Sequence, residues 1–403
     1  MTRRNGGFVG QDGLDAPDPP TGVAGTAGGG SISIAFTAPS DVGTSAITGF
    51  VAQVSTDDTA YSAGSNTGTS SPIVVSSLTD GTDYTAKVWA INAYGTSVSS
   101  EASTAVSPDG TRALFAGGNS VSRRVDIEYI TVVSTGNATD FGDLLNGGAT
   151  SPGSVASTSR SVHGGGNTVS IDANLTFIQY STIASTGNAT DFGDMSVSML
   201  SQATISNGTR GVWGDDTLNS TSTRMEYIAI ATLGNSSDFG DASLARGAAT
   251  GASSPTRGVV AGGSNNSGSL NVIEYITIAN TGNTTDFGDL TVARYNPSAC
   301  SSNTRACILG GNAAGTPSNT IDYITTASTG NALDFGDLAA ANHNGSATSS
   351  KTRGVYAGGK QPQAPTGDMV YITIASTGNT SAFGSLSTRS QLGGSSSNHG
   401  GIA

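Results

Sequence analysis

Short runs in which apolar and polar residues alternate fill most of the chain, and Gly, Ser, Thr and Asn crowd every window in which a helix could start. From about residue 111 onward the runs recur in register. One copy reads Thr256-Arg257-Gly258-Val259-Val260-Ala261-Gly262-Gly263, then a loop, then Val272-Ile273-Glu274-Tyr275-Ile276-Thr277-Ile278, then Thr281-Gly282-Asn283 and Asp286-Phe287-Gly288-Asp289-Leu290. The leading arginine returns as Arg112, Arg160, Arg210, Arg257, Arg305 and Arg353, at intervals of 48, 50, 47, 48 and 48 residues. Tyr129, Tyr180, Tyr227, Tyr275, Tyr323 and Tyr371 mark the second run, and Phe141, Phe192, Phe239, Phe287, Phe335 and Phe383 the third.

Each copy predicts four short strands. The Arg-led run is apolar and β-branched and ends in a Gly pair suited to a tight bend. The Tyr run alternates as a half-buried strand does. Thr-Gly-Asn supplies turn chemistry, Phe-Gly-Asp-Leu is expected to start a third strand, and the Ala/Ser/Gly-rich stretch before the next arginine (Ala248 to Ser254, for example) a fourth. Four strands in about 50 residues is the pattern of a β-propeller blade. The Gly pair, the Tyr and the later aromatic resemble the kelch repeat over residues 111–403. The copies depart from it in carrying Phe-Gly-Asp-Leu where kelch has Trp, and Asp215-Asp216 in place of the third Gly pair. The first copy lacks an Ala/Ser strand of its own, and Gln391 to Ser397 matches the missing segment. The expectation is an all-β chain in which residues 109–403 form a six-bladed kelch-like propeller closed by its C-terminal strand.

Residues 17–108 lack the repeat. Ser31 to Phe36, Ile47 to Val54 and Thr85 to Ile91 alternate as strands, with turns every 8 to 12 residues, which argues a β-sandwich. Asp18-Pro19-Pro20, the Leu78 to Tyr84 corner and Asn92-Ala93-Tyr94-Gly95 resemble a fibronectin type III domain, with Phe36 in place of the usual core Trp. That resemblance makes Tyr84 structural and Trp89 a core or inter-strand packing residue. Residues 1–16 are too Gly-rich for a helix, and their basic start has no apolar segment behind it, so no secretory signal is expected. They read as an extended docking arm, with Arg3 and Arg4 as charge contacts and Phe8, Val9 and Leu14 as plug residues.

Composition narrows the chemistry. Charged residues make up 11% of the chain and the net charge is -12, so no phosphate-binding surface is expected, and no apolar run reaches membrane length. The three histidines, His163, His343 and His399, have no partners at metal-ligand spacing and are expected at the surface or in loops. Cys300 and Cys307 fall opposite each other if Asn303-Thr304 is a tight turn, and packed thiols are favoured over a disulfide.

The Asp-Phe-Gly-Asp tetrapeptides have none of the other kinase motifs around them, and their paired aspartates are too few for Ca²⁺. No catalytic residue, metal site or cofactor is assigned. The recurring arginines are expected to be structural: Arg112, Arg160, Arg210, Arg257 and Arg305 bridging to Asp140, Asp191, Asp238, Asp286 and Asp334. The sixth copy carries Ala382 there, so Arg353 needs another acceptor. The irregular loops after the Gly pairs hold the candidate recognition residues: Asn119, Arg123, Arg124, Asn265, Asn266, Gln361 and Gln363.

The whole chain, acidic, Lys-poor and built from Tyr-Ile-Thr-Ile-Ala-Ser-Thr-Gly-Asn and Phe-Gly-Asp repeats, resembles virion structural proteins of tailed bacteriophages, marine cyanophages above all. The resemblance implies a non-enzymatic tail, fibre or capsid-surface component. It would be assembled in the bacterial host cytoplasm, homo-oligomeric within the particle, and in contact with other virion proteins and with host cell-surface glycan. A carbohydrate-binding propeller module is the alternative. An enzyme of the galactose-oxidase or sialidase kind would need metal ligands, or an Arg cluster with a nucleophile, that the sequence does not gather in one place.

Overall fold

A computed structural model of the chain describes residues 15–28, 30–79, 82–108, 110–145, 149–168, 176–200, 203–214 and 222–402. The expected docking-arm residues Arg3, Arg4, Phe8, Val9 and Leu14, and the Asp215-Asp216 pair, lie outside them. The described residues contain strands and no helix. The chain divides into two compact units, residues 1–110 and 111–403.

The first unit stacks two antiparallel sheets. Thr21–Gly28, Ser31–Thr37 and Ile73–Ser76 form one, and Gly64–Gly68, Ile47–Ser55, Thr85–Asn92 and Gly95–Thr96 the other. Strict alternation sends Ile32, Ile34 and Phe36 from one sheet and Phe50, Ala52, Val54 and Val88 from the other into a shared core. Phe36 packs its ring 4.8 Å from that of Phe50, which is how a Phe serves at this position. The buried Tyr84 hydroxyl accepts a hydrogen bond from the Thr79 amide at 3.2 Å and ties down the corner before its strand. Trp89 lies on the outer face, edge-on to Tyr61, so its packing is between strands rather than in the core.

The second unit contains six antiparallel sheets built on one plan. In the fourth, the order is Thr250–Ser253, Arg257–Ala261, Val272–Thr277 and Thr285–Asp289; these are called here the inner, Arg, Tyr and Phe strands. The inner strands of sheets two to six are Gly153–Ala156, Ala203–Ser206, Thr250–Ser253, Ser298–Ser301 and Ser346–Ser349, and each packs on the next. That of the first sheet is Gly393–Ser396, from the other end of the unit. It pairs with Arg112–Ala116 in the register Gly393↔Ala116 to Ser396↔Ala113, and packs against both Gly153–Ala156 and Ser346–Ser349.

Small side chains are required where the inner strands converge. Serines recur at their last position, and each ties one strand to its neighbour: the Ser206 amide donates to Ser253 Oγ, that of Ser253 to Ser301 Oγ and that of Ser301 to Ser349 Oγ. The Gly pairs turn the chain out of the Arg strand with positive φ, +68° and +99° at Gly262 and Gly263.

The Phe-Gly-Asp segment closes the Phe strand rather than starting it. Its glycine sits at a register shift, after which the next residue but one, such as Leu290, turns into the core. There it meets the Thr-Gly-Asn turn of the next sheet. The Gly187, Gly234, Gly282, Gly330 and Gly378 amides donate to the Phe141, Phe192, Phe239, Phe287 and Phe335 carbonyls at 2.7–2.9 Å, and Gly136 of the first sheet donates to Phe383 of the sixth at 2.8 Å. The Asn side chain of each turn adds a second link, accepting at Oδ1 from the amide after the Phe-Gly pair, as Asn331 does from Asp289 and Asn137 from Ser385, both at 3.1 Å. This contact is why the motif has glycine: at Gly288, φ is +146° and a Cβ would lie 2.5 Å from the Gly330 carbonyl oxygen. Gly288→Ala is therefore expected to destabilise the second unit by about 2 kcal/mol in urea unfolding.

Candidate recognition face

The repeated polar side chains are spent on joining sheets. Each repeat arginine stacks on the Tyr of its own sheet, at 4.2–4.7 Å from the ring centroid, and that Tyr meets the Phe ring edge-on at 5.9–6.2 Å. The guanidinium then reaches the following sheet: Arg112 donates to the Ile183 carbonyl, Arg160 to Ile230, Arg210 to Ile278, Arg257 to Thr326 and Arg305 to Ile374. Arg353 of the sixth sheet donates to Val132 and Val133 of the first.

The expected Arg–carboxylate bridges are thus corrected. Asp140, Asp191, Asp238, Asp286 and Asp334 are solvent-exposed and make no ion pair with these arginines. The Tyr strand separates the two; Arg257 lies opposite Thr277, whereas Asp286 lies opposite Glu274. Two inter-strand spacings, about 10 Å, and a Tyr ring stand between them.

Arginine does pair with carboxylates, at positions the sequence reading missed. Arg246 bonds Glu274 at 2.7 Å, Arg294 bonds Asp322 at 3.0 Å, and Arg389 bonds both Asp126 and Glu128. These arginines lie in, or just before, the connection leading to the next inner strand and are fully buried. The signal was present: Arg246 precedes Glu274, and Arg294 precedes Asp322, by the same 28 residues.

The histidine expectation fails for His163, which is 1% exposed and inside a strand. Its Nδ1 lies 2.8 Å from Ser154 Oγ and its Nε2 3.1 Å from Ser161 Oγ. Burial pushes its pKa down from 6.5 to about 4, and that of His399 likewise to about 4. Between these values the unfolded chain binds protons that the folded chain does not. Stability is therefore expected to be complete above pH 6.5 and to fall as the pH drops toward 4, by about 3 kcal/mol for His163. Urea midpoints of the wild type against His163→Phe, the residue at this position in the first sheet (Phe115), check this; the variant should show a shallower pH dependence.

Cys300 and Cys307 fall opposite each other as expected, and both are free, buried thiols. Their mutual hydrogen bond, then burial, pushes the Cys300 pKa up. Both are expected to resist a thiol-specific disulfide reagent until the unit unfolds. Among the described residues no group of three or more His, Cys, Asp or Glu side chains is placed to hold a metal.

The loops after the Gly pairs and the connections into the inner strands share one end of the sheets. The Gly118, Gly263, Gly311 and Gly359 amides donate to Ala149, Arg294, Asn342 and Arg389 carbonyls. Beneath them Ser151, Ala248, Asn296, Asn344 and Gln391 take left-handed φ of 50–57°. Ser151 donates to Gln391, Gln391 to Asn344, Asn344 to Asn296 and Asn296 to Ala248, through backbone groups alone. They surround a small polar cavity of about 110 Å³.

The structure separates the candidate recognition residues. Asn119 accepts and donates backbone bonds with Ser390, and Arg124 makes a two-pronged pair with Asp126, so both stiffen the loop. Arg123 is also partnered and half-buried. Asn265 caps its own turn by accepting from Ser267. Asn266 and Gln363 are exposed at loop tips, and Gln361 lines a cavity described below. The loop Ser264–Ser269 and Ala313–Gly315 of the next sheet flank a shallow groove floored by Val292, Ala293 and Tyr295.

Residues 18–106 match the family model of the fibronectin type III domain. The chain carries a fibronectin type III domain. Its match ends before the repeats begin, so it accounts for the first unit and leaves the second to be argued from its own geometry. No curated protein matches the chain.

Proposed function

We propose that the second unit is a six-bladed, kelch-like β-propeller closed by its C-terminal strand. In this reading the chain is a non-enzymatic structural protein of a tailed-bacteriophage particle that displays the propeller on a fibronectin type III spacer. One observation carries the propeller: the links from the sixth sheet to the first repeat those between the other sheets. Gly136 to Phe383, Asn137 to Ser385 and Arg353 to Val132 take the places of Gly330 to Phe287, Asn331 to Asp289 and Arg257 to Thr326. The display role is supported by how the repeated Arg, Asn and Ser groups are engaged between sheets, while Gln363 and the groove beside Tyr295 face solvent. The particle assignment rests on the repeat resemblance.

Mass spectrometry and antibody labelling of purified particles test that assignment. The protein is expected in the particle, and deletion of residues 1–14 is expected to remove it while the rest still folds; unchanged incorporation would count against the arm. The groove also favours a second reading as a glycan-binding module, since an aromatic floor with Ser264, Ser267 and Ser269 around it suits a sugar. A glycan array with the full chain separates the two, because only the second requires binding without a particle.

A further inference from the structure

Between the fifth and sixth sheets the repeat breaks its own rule. Arg246, Arg294 and Asn342 are spaced by 48 residues, as are Glu274, Asp322 and Val370. Where the two preceding junctions bury an Arg–carboxylate pair, this one has Asn and Val. The space is not refilled: a cavity of about 220 Å³ lies there, lined by Leu338, Asn342, Met369, Val370 and Ala382 among others. It is smaller than the ~300 Å³ at which whole-ligand pockets begin, and much larger than the ~30 Å³ share of one water.

Its polar lining residues are Asn342, Tyr356, Gln361 and Asp368, and among the described residues the Tyr356 hydroxyl is buried without a hydrogen-bond partner. Asn342, 3% exposed, donates Nδ2 to the Gly358 carbonyl at 2.9 Å, which leaves its Oδ1 buried with no hydrogen-bond partner. Asp368 lines the same cavity and is exposed to solvent. Among the described residues its carboxylate has no ion pair, whereas Asp126, at the same repeat position in the first sheet, holds Arg389 at 2.5 Å. Gln361 contributes an amide at the rim. The site thus keeps a carboxylate and apolar walls, and lacks the guanidinium that the related junctions supply from within.

We propose that this cavity binds the guanidinium of an arginine side chain presented by a partner protein. The methylene stem lies along Leu338, Met369 and Val370, and the planar head donates to the Asp368 carboxylate. The chain's net charge of -12 favours the approach of a cationic partner. The inference needs the fifth–sixth junction alone and stands apart from the particle assignment.

Isothermal titration of the full chain with N-acetyl-arginine amide tests it. Saturable binding at one site is expected, with N-acetyl-citrulline amide, which has the shape without the charge, weaker by about tenfold or more. Asp368→Asn should weaken arginine amide by a similar factor, and Asn342→Arg, which supplies a guanidinium from within, should block it. Thermal unfolding of each variant confirms the fold, and Val370→Glu, expected to tighten binding, provides a gain that misfolding cannot imitate. No saturable binding to the wild type, or equal binding of arginine and citrulline amides, would overturn the proposal.

Discussion

Deleting residues 390–403 is expected to abolish the cooperative unfolding of the second unit while the fibronectin type III domain still melts as before. The deletion removes Gly393–Ser396, hence the inner strand of the first sheet and its pairing with Arg112–Ala116. Ala113, Leu114, Phe115 and Ala116 are all 0% exposed, so the deletion uncovers a strand that is apolar on both faces. It also removes Leu392 from its core cluster and His399 from Ser206 and the Ala156 carbonyl. Lost burial and lost backbone bonds together amount to about 5 kcal/mol or more, the scale of an entire domain's stability. The exposed strand edge should bind a hydrophobic dye and drive association. Calorimetry showing two transitions in the full chain and one in the deletion would match this expectation, because the first unit has a separate core.

The second large effect is expected at Asp322. Asp322→Ala leaves Arg294, 0% exposed, as a buried cation whose Nη2 keeps, among the described residues, one hydrogen bond, to the Ile308 carbonyl. Burial already holds the Arg294 pKa below its ordinary value, with Asp322 opposing that shift. Breaking such a pair costs about 3–5 kcal/mol. The double variant Arg294→Met with Asp322→Leu removes both charges, fills similar space, and should lie within about 1 kcal/mol of the wild type or above it. A double variant as unstable as Asp322→Ala would mean that the pair contributes more than the avoidance of an orphaned charge.

What could be read from the residues alone was whatever local chemistry or period sets. Alternation gave the strands, the recurring arginines gave the repeat length, and the Pro-Pro opening with the Leu78 to Tyr84 corner gave the fibronectin type III domain. The opposed cysteines followed from turn length. Sequence reading failed where the partner was a backbone atom on another sheet. The acceptors of Arg112 and its equivalents are carbonyls, which leave no trace in side-chain identity, and the exposed aspartates offered a plausible substitute. Thr-Gly-Asn was legible as a turn, but its seat in the Phe-Gly-Asp bulge of the neighbour was not, because the steric demand on Gly288 comes from Gly330. His163 was misplaced for a related reason: the two serines that satisfy its ring lie at the seam of two strands. The fifth–sixth cavity became visible only when Asn342 and Val370 were compared with residues 48 positions away.

Amide hydrogen exchange of the full chain, read at Ala113–Ala116 and Gly393–Ser396, bears most directly on the proposed closure of the second unit into a propeller. Pairing of the two segments in one sheet predicts protection equal to that of Thr250–Ser253 and Arg257–Ala261, the corresponding strands of the fourth sheet. Gly393–Ser396 amides that exchange at the rate of an unstructured tail, while the fourth sheet stays protected, would contradict it.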